Sequence, residues 1–192
     1  MSFLGVEMRT IAYVDGYNLY HGRLKHTPFK WLDLHGLLGL ILRIQNPASE
    51  LVQIIQGRFT LSPERVPRYS LGRALNRDDR VDAWILGEKQ TDVQLALHTY
   101  RDAAFGTCEQ VLLCTNDSDL APAVEFIKSD CPKATVGIVL PRPPELQARK
   151  SKTLQDLAHW TRDYILDEEL AAHQLPARVQ TGKKPADKPA HW

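Results

Sequence analysis

Cysteine is scarce and unpatterned, with three in 192 residues and none in a C-x-x-C pair. That excludes a disulfide framework and argues against a thiolate zinc site. No apolar run approaches the ~18 residues needed to cross a bilayer. The opening MSFLGVEMRT has no basic stretch followed by a long apolar segment, so neither a membrane span nor a secretory signal is expected. A reducing, cytoplasmic setting is the expectation. Charge of one sign is lacking too: 24 Lys and Arg against 23 Asp and Glu leave +1. The molecule as a whole has no field to gather nucleic acid, and any basic surface must be local. Gly-rich turns of the G-x-G-x-x-G or P-loop kind are missing, which removes the usual signatures of dinucleotide and nucleoside-triphosphate binding.

What is present is an ordinary globular balance, 43% hydrophobic and 24% charged, on a chain long enough to bury a core without staples. Apolar β-rich runs alternate with helical patterns. Strands are expected at Thr10–Val14, at Leu51–Ile55 with an extension toward Thr60, at Val81–Leu86, at Val111–Cys114 and at Val136–Leu140. Helices are expected over Asp33–Ile44, where Leu34, Leu37, Leu38, Ile41 and Leu42 recur at a 3.6-residue period, and over Thr91–Phe105, Leu120–Ser129 and Lys152–His159. Thr91 with Gln94 reads as a capping box, and Gly106 as the stop. Nearly continuous apolar strands between helices imply an α/β fold with a mostly parallel sheet of about five strands, covered on both faces. Residues 1–175 read as one domain, 57–80 as an Arg-rich insertion in it, and 176–192 as a disordered basic, Pro-rich tail with little to bury.

The acids fall at the strand ends. Asp15 follows the first strand, Asp117 and Asp119 follow the fourth, and Asp92 opens the helix after the third. Ligands of open parallel sheets collect beyond the carboxyl ends of the strands. If the first and fourth strands are neighbours, these carboxylates share one crevice. Packed together they repel one another unless a cation neutralises them, and oxygen ligands without thiolate or paired imidazole select Mg²⁺ or Mn²⁺. Each acid also has a plainer use, as a helix cap, a turn residue or a favourable charge at a helix start.

Three blocks carry a resemblance. Val14-Asp15-Gly16-Tyr17-Asn18-Leu19, then Lys89-Gln90-Thr91-Asp92-Val93-Gln94-Leu95-Ala96, then Thr115-Asn116-Asp117-Ser118-Asp119-Leu120 occur in order. Together they resemble the NYN-domain family of PIN-like nucleases, across roughly residues 9–165. The resemblance implies a PIN-like three-layer α/β/α sandwich. It also implies a metal-dependent ribonuclease site, with Asp15, Asp92, Asp117 and Asp119 binding Mg²⁺ or Mn²⁺ and Asn18 positioning ligand or an acid. A metal-activated water would then hydrolyse RNA phosphodiester bonds. His98 stands where many members carry a further Asp.

For holding nucleic acid, the best candidates are Arg58, Arg65, Arg68, Arg73, Arg77 and Lys89, with Arg80 beside them, because guanidinium groups match phosphate through planar paired donors. Tyr17, Tyr20 and Trp31 lie near the acidic opening in sequence and offer stacking faces for unpaired bases. The other class of function is an RNA-binding or adaptor module on the same fold with a weak or inactive metal site. A phosphatase of the haloacid-dehalogenase type would want a second Asp two residues after Asp15, where Tyr17 stands. A homodimer is permitted but not required.

Overall fold

The computed structural model describes residues 8–42, 53–145, 150–182 and 184–192. Its described residues divide into two compact units, one running to Gln53 and resuming with Leu95–Trp192, the other being Ile54–Gln94.

The larger unit is an α/β body around a four-stranded parallel sheet. The strands are β1 (Thr10–Val14), β4 (Gln110–Cys114), β5 (Thr135–Val139) and β6 (Trp160–Arg162), adjacent in that order. β1 lies on β4 from Thr10↔Gln110 to Val14↔Cys114, and β4 on β5 from Gln110↔Thr135 to Cys114↔Val139. β4 is buried along its whole length, as its unbroken apolar run requires of a strand covered on both faces. Its side chains alternate between two cores. Val111 and Leu113 point into a layer with Ala103 of α3 (Thr91–Ala104), Val124 and Ile127 of α4 (Ala121–Asp130), and Leu154 of α5 (Lys152–Leu157). Leu112 and Cys114 point the other way, toward Leu19 of α1 (Gly16–Leu19), Leu37 of α2 (Leu34–Leu42) and Leu170 of α6 (Asp167–Ala172). Helices on both faces of one sheet make the three layers. Each fully buried Leu contributes about 2 kcal/mol over leaving it in water.

Local chemistry sets the helix ends. The Asp33 carboxylate accepts the Gly36 N–H at 3.0 Å at the start of α2. α3 starts one residue earlier than a Thr91 cap would give. Thr91 is its first residue, and the Glu88 carboxylate accepts the Thr91 N–H at 3.2 Å. Gly106, at φ +68, ends the following turn in a conformation that side chains disfavour. At Gly137, an added Cβ would meet the Trp160 ring at 2.2 Å, so the indole can come this close to β5 only because that position has no side chain.

Two expected strands lie elsewhere. Leu51 and Val52 are outside the described residues, as are Arg43 and Ile44 at the end of the expected helix, and residues 53–57 are not strand. The strand begins at Arg58. β2 (Arg58–Pro67) and β3 (Arg80–Lys89) pair antiparallel with each other in the smaller unit, rather than joining the parallel sheet. The sheet's fourth strand is instead β6, three residues that the apolar pattern does not announce.

The tail expected to be disordered carries short β7 (Arg178–Val179) and β8 (Ala186–Asp187), paired antiparallel. It has more to hold it than its composition suggests. Trp31 Nε1 donates to the Pro176 carbonyl at 2.7 Å, the Trp192 ring meets Trp31 edge-on at 6.0 Å, and Arg178 pairs with Asp187.

No helix among the described residues is long and apolar enough to cross a membrane.

Candidate metal centre

The pairing of Val14 with Cys114 brings the ends of β1 and β4 side by side, and the Asp15 N–H continues the ladder onto the Cys114 carbonyl at 3.2 Å. Asp15 is thereby buried, 3% exposed. Its Oδ1 accepts the Asn18 N–H at 2.9 Å, capping α1, and its Oδ2 accepts the Thr115 hydroxyl at 3.0 Å. The same Thr115 oxygen accepts the Asp117 N–H at 3.0 Å. One hydroxyl therefore links the two acidic loops.

The Asn18 side chain links the turn after β1 to the turn after β4. Its Oδ1 accepts the Asn116 N–H at 3.2 Å, and the Asn116 Oδ1 in turn accepts the Ser151 N–H at 2.9 Å. Asp117 caps the short 3₁₀ turn Ser118–Leu120, accepting the Asp119 N–H on Oδ1 at 3.0 Å.

Asp92 is in the first turn of α3, an unbroken helix whose residues from Leu95 onward belong to the larger unit. One carboxylate oxygen from each of Asp15, Asp92 and Asp117 lies within 4.8 Å of the other two. Asp119 is exposed and outside this group. The fold therefore gathers three of the four acids, and the fourth gives the turn its backbone N–H.

Behind the site, burial pushes the Cys114 thiol up to about 12, with the neighbouring Asp15 charge adding to the shift. That thiol is a packing group, not a nucleophile. His98 is half-buried on α3 with its Nδ1 against the Arg101 guanidinium at 3.1 Å, and it supplies nothing to the carboxylate group.

Tyr17 is exposed on α1 beside Asp15 and stacks on His21 at 4.3 Å between ring centroids, with Tyr20 edge-on to the same imidazole at 5.0 Å. Trp31 is instead engaged with the tail. Arg58, Arg65, Arg68, Arg73, Arg77, Arg80 and Lys89 all lie on the β2–β3 hairpin or its connection. There Arg68 pairs with Asp79 at 3.1 Å and the Arg80 guanidinium is bound to the Arg65 carbonyl. Thr115 and Asn116 are the site residues that sequence reasoning did not single out. Their signal was present, as polar residues directly after a fully apolar strand.

No family model matches the chain. It is 29% identical to the 6-hydroxy-3-succinoylpyridine 3-monooxygenase HspA of Pseudomonas putida, across 96% of this chain and 75% of that protein. A solved structure of a Vibrio parahaemolyticus protein of unknown function is 18% identical, covering 90% of this chain and all of that one, with a TM-score of 0.40. The monooxygenase corrects one expectation. The enzyme class read from the acidic blocks was a hydrolytic, metal-dependent nuclease, whereas the named relative is an oxidoreductase. Carboxylates gathered at the strand ends do not by themselves write the reaction that is run beside them.

Proposed function

We propose that this chain is a divalent-cation-dependent enzyme whose Asp15, Asp92 and Asp117 hold Mg²⁺ or Mn²⁺ and, through it, the oxygen atoms of an anionic substrate. The observation that carries the reading is the approach of three carboxylate oxygens to within 4.8 Å of one another, one of them on the buried Asp15. Like charges so close are unfavourable without a cation among them, and an all-oxygen set suits hard ions. The cation would supply Lewis acidity to the substrate oxygen it binds. The chain's own groups do the positioning. Thr115 and the Asn18 N–H fix the orientation of the Asp15 carboxylate, Asn116 ties the β4 loop to Ser151, and the stacked Tyr17 and His21 offer a planar ligand a ring face and an imidazole nitrogen.

For the substrate class, the name of the Pseudomonas relative supports a hydroxylated pyridine carrying an acidic chain, and for the reaction, oxygen insertion. Hydroxyl and carboxylate oxygens are ligands a hard cation accepts. A flavin dinucleotide does not fit at this point of the fold. The N-terminus of α1, where its pyrophosphate would lie, is capped by the Asp15 carboxylate, which places a negative charge at the point the phosphates would need. No step is derived through one.

The test is titration of Mn²⁺, followed by its paramagnetic resonance signal, into the wild type and into Asp15→Asn, Asp92→Asn and Asp117→Asn. Each variant is expected to bind at least tenfold more weakly, and equal affinity in all four rejects the site. Oxygen uptake by the loaded protein, given hydroxypyridine acids and a reduced nicotinamide, then tests the reaction class. Uptake abolished by the same substitutions supports it. A loaded protein that consumes no oxygen with any of these rejects the oxygenase reading and leaves the cation site standing.

A second reading, RNA binding, has the hairpin's seven cationic side chains in its favour. Guanidinium–phosphate contacts would make affinity fall steeply with salt. Filter binding of single-stranded and structured RNA checks it, with Arg73→Ala and Arg77→Ala expected to flatten the salt dependence. Absence of binding at low salt rejects it.

A further inference from the structure

The β2–β3 hairpin is built inside out. Opposite residues in an antiparallel pair share a face, so the register puts Phe59 with Glu88, Leu61 with Leu86, Pro63 with Trp84, and Arg65 with Asp82 on one side. That side is open: Phe59 is 55%, Leu61 65%, Trp84 71% and Leu86 61% exposed. The other side carries the smaller Thr60, Ser62, Ala83 and Gly87 with Val66, Val81 and Ile85, all only partly exposed. The bulkiest apolar groups of this ribbon therefore face water. A two-stranded ribbon is marginal by itself, and a contiguous apolar face of this kind marks a surface meant to be covered.

We infer that this face docks on the same face of a second copy of the chain, about a two-fold axis running between and along the two strands. Such an axis lays β2 of one copy over β3 of the other. Every row is then complementary: Leu61 meets Leu86 of the partner subunit, and Pro63 stacks on Trp84 of the partner subunit. Arg65 meets Asp82 of the partner subunit, and Phe59 lies under the methylenes of Glu88 of the partner subunit. The turned arrangement, with the axis across the strands, would set Asp82 near Glu88 of the partner subunit, so charge selects the first. Side chains of this size present roughly 200 Å² each when fully open. At the observed exposures the four bury on the order of 500 Å² per copy, or ~1,000 Å² in all, the lower end of a specific interface. The contact is isologous and closed, so it stops at two copies.

The experiment is sedimentation of the full chain from low micromolar to near-millimolar concentration, for the wild type, Trp84→Glu, Arg65→Asp, Asp82→Arg and the double swap Arg65→Asp with Asp82→Arg. Circular dichroism confirms that each exposed-face variant is folded. A wild-type dimer is expected, with its dissociation constant raised at least tenfold by Trp84→Glu and by either single swap, and restored by the double swap. A wild type that stays monomeric throughout overturns the inference. So does a dimer that survives Trp84→Glu and both single swaps, because the copies then meet elsewhere.

Discussion

At the scale of single residues, Thr115 does more than its place in the sequence suggests. Its hydroxyl donates to Asp15 and accepts from the Asp117 backbone, so one oxygen ties together the turns that carry two acids after different strands. Thr115→Val keeps the shape and removes both bonds, leaving a buried carboxylate oxygen and a backbone N–H short of a partner. The expected cost is ~1–3 kcal/mol in urea unfolding, with a weaker Mn²⁺ affinity, and Thr115→Ser restores both. Two other groups, half-buried Tyr13 and buried Cys114, give the alkaline limb of stability its sign. Burial, then the hydrogen bond to Asp102, raises the Tyr13 phenol above its ordinary value of 10, and Cys114 is raised from 9 to about 12. Each folded-state value lies above the unfolded one, so the unfolded chain gives up its protons first. Their stabilisation is whole below the unfolded values and is lost as pH rises toward the folded ones. The urea midpoint should therefore fall above about pH 9, and Tyr13→Phe should make that fall shallower. A midpoint that is flat across this range would contradict the raised values of both groups.

At the scale of elements, the legible parts were those whose pattern has one interpretation. β4, with five consecutive buried residues, and the Asp-bearing turns after β1 and β4 follow directly from an apolar run broken by polar residues. A run such as Val81–Leu86 is compatible with a parallel core strand or with an antiparallel ribbon. What decides is the partner, which lies outside any local window. β6 escaped because Trp-Thr-Arg is too short and too polar to stand out; Trp160 fills the space that Gly137 leaves, a long-range match. α3 begins at Thr91 as its pattern indicates, but its cap is the Glu88 carboxylate rather than the Thr91 hydroxyl, and Gln90, between β3 and α3, sits at φ 77. A residue with a Cβ is strained there. Gln90→Gly should stabilise the fold by about 1 kcal/mol despite the added freedom of the unfolded chain, and Gln90→Val should destabilise it. Chemical denaturation of the two variants reads both signs, and a loss of stability with Gly would show that the side chain is held by something worth more than the strain.

At the scale of the whole molecule, the question is whether Asp15 serves the fold or the cation, since it has the geometry for both. In the fold it needs an acceptor oxygen for the Asn18 N–H, which Asn supplies equally well. It also needs a partner for Thr115, which the Asn amide supplies by donating to the Thr115 oxygen instead of accepting from it. As a ligand beside Asp92 and Asp117 it needs charge, which Asn lacks. Asp15→Asn therefore separates the two roles, where Asp15→Ala would remove both together. Without metal, the Asn variant should unfold within about 1 kcal/mol of the wild type, and relief of repulsion among the three acids would move it upward. With Mn²⁺ at a hundredfold excess over its dissociation constant, the wild type should gain ~2.7 kcal/mol by mass action alone. For a chain of this length that is a rise of ~5–10 °C in Tm, reversed by EDTA. The Asn variant should show almost none of that rise. Equal shifts in the two proteins would place the stabilising cation somewhere other than at this cluster and reduce Asp15 to a helix cap. A metal-free Asn variant that is several kcal/mol less stable would mean that the buried carboxylate is held by charge within the protein itself, and the case for an ion among the three acids would fall with it.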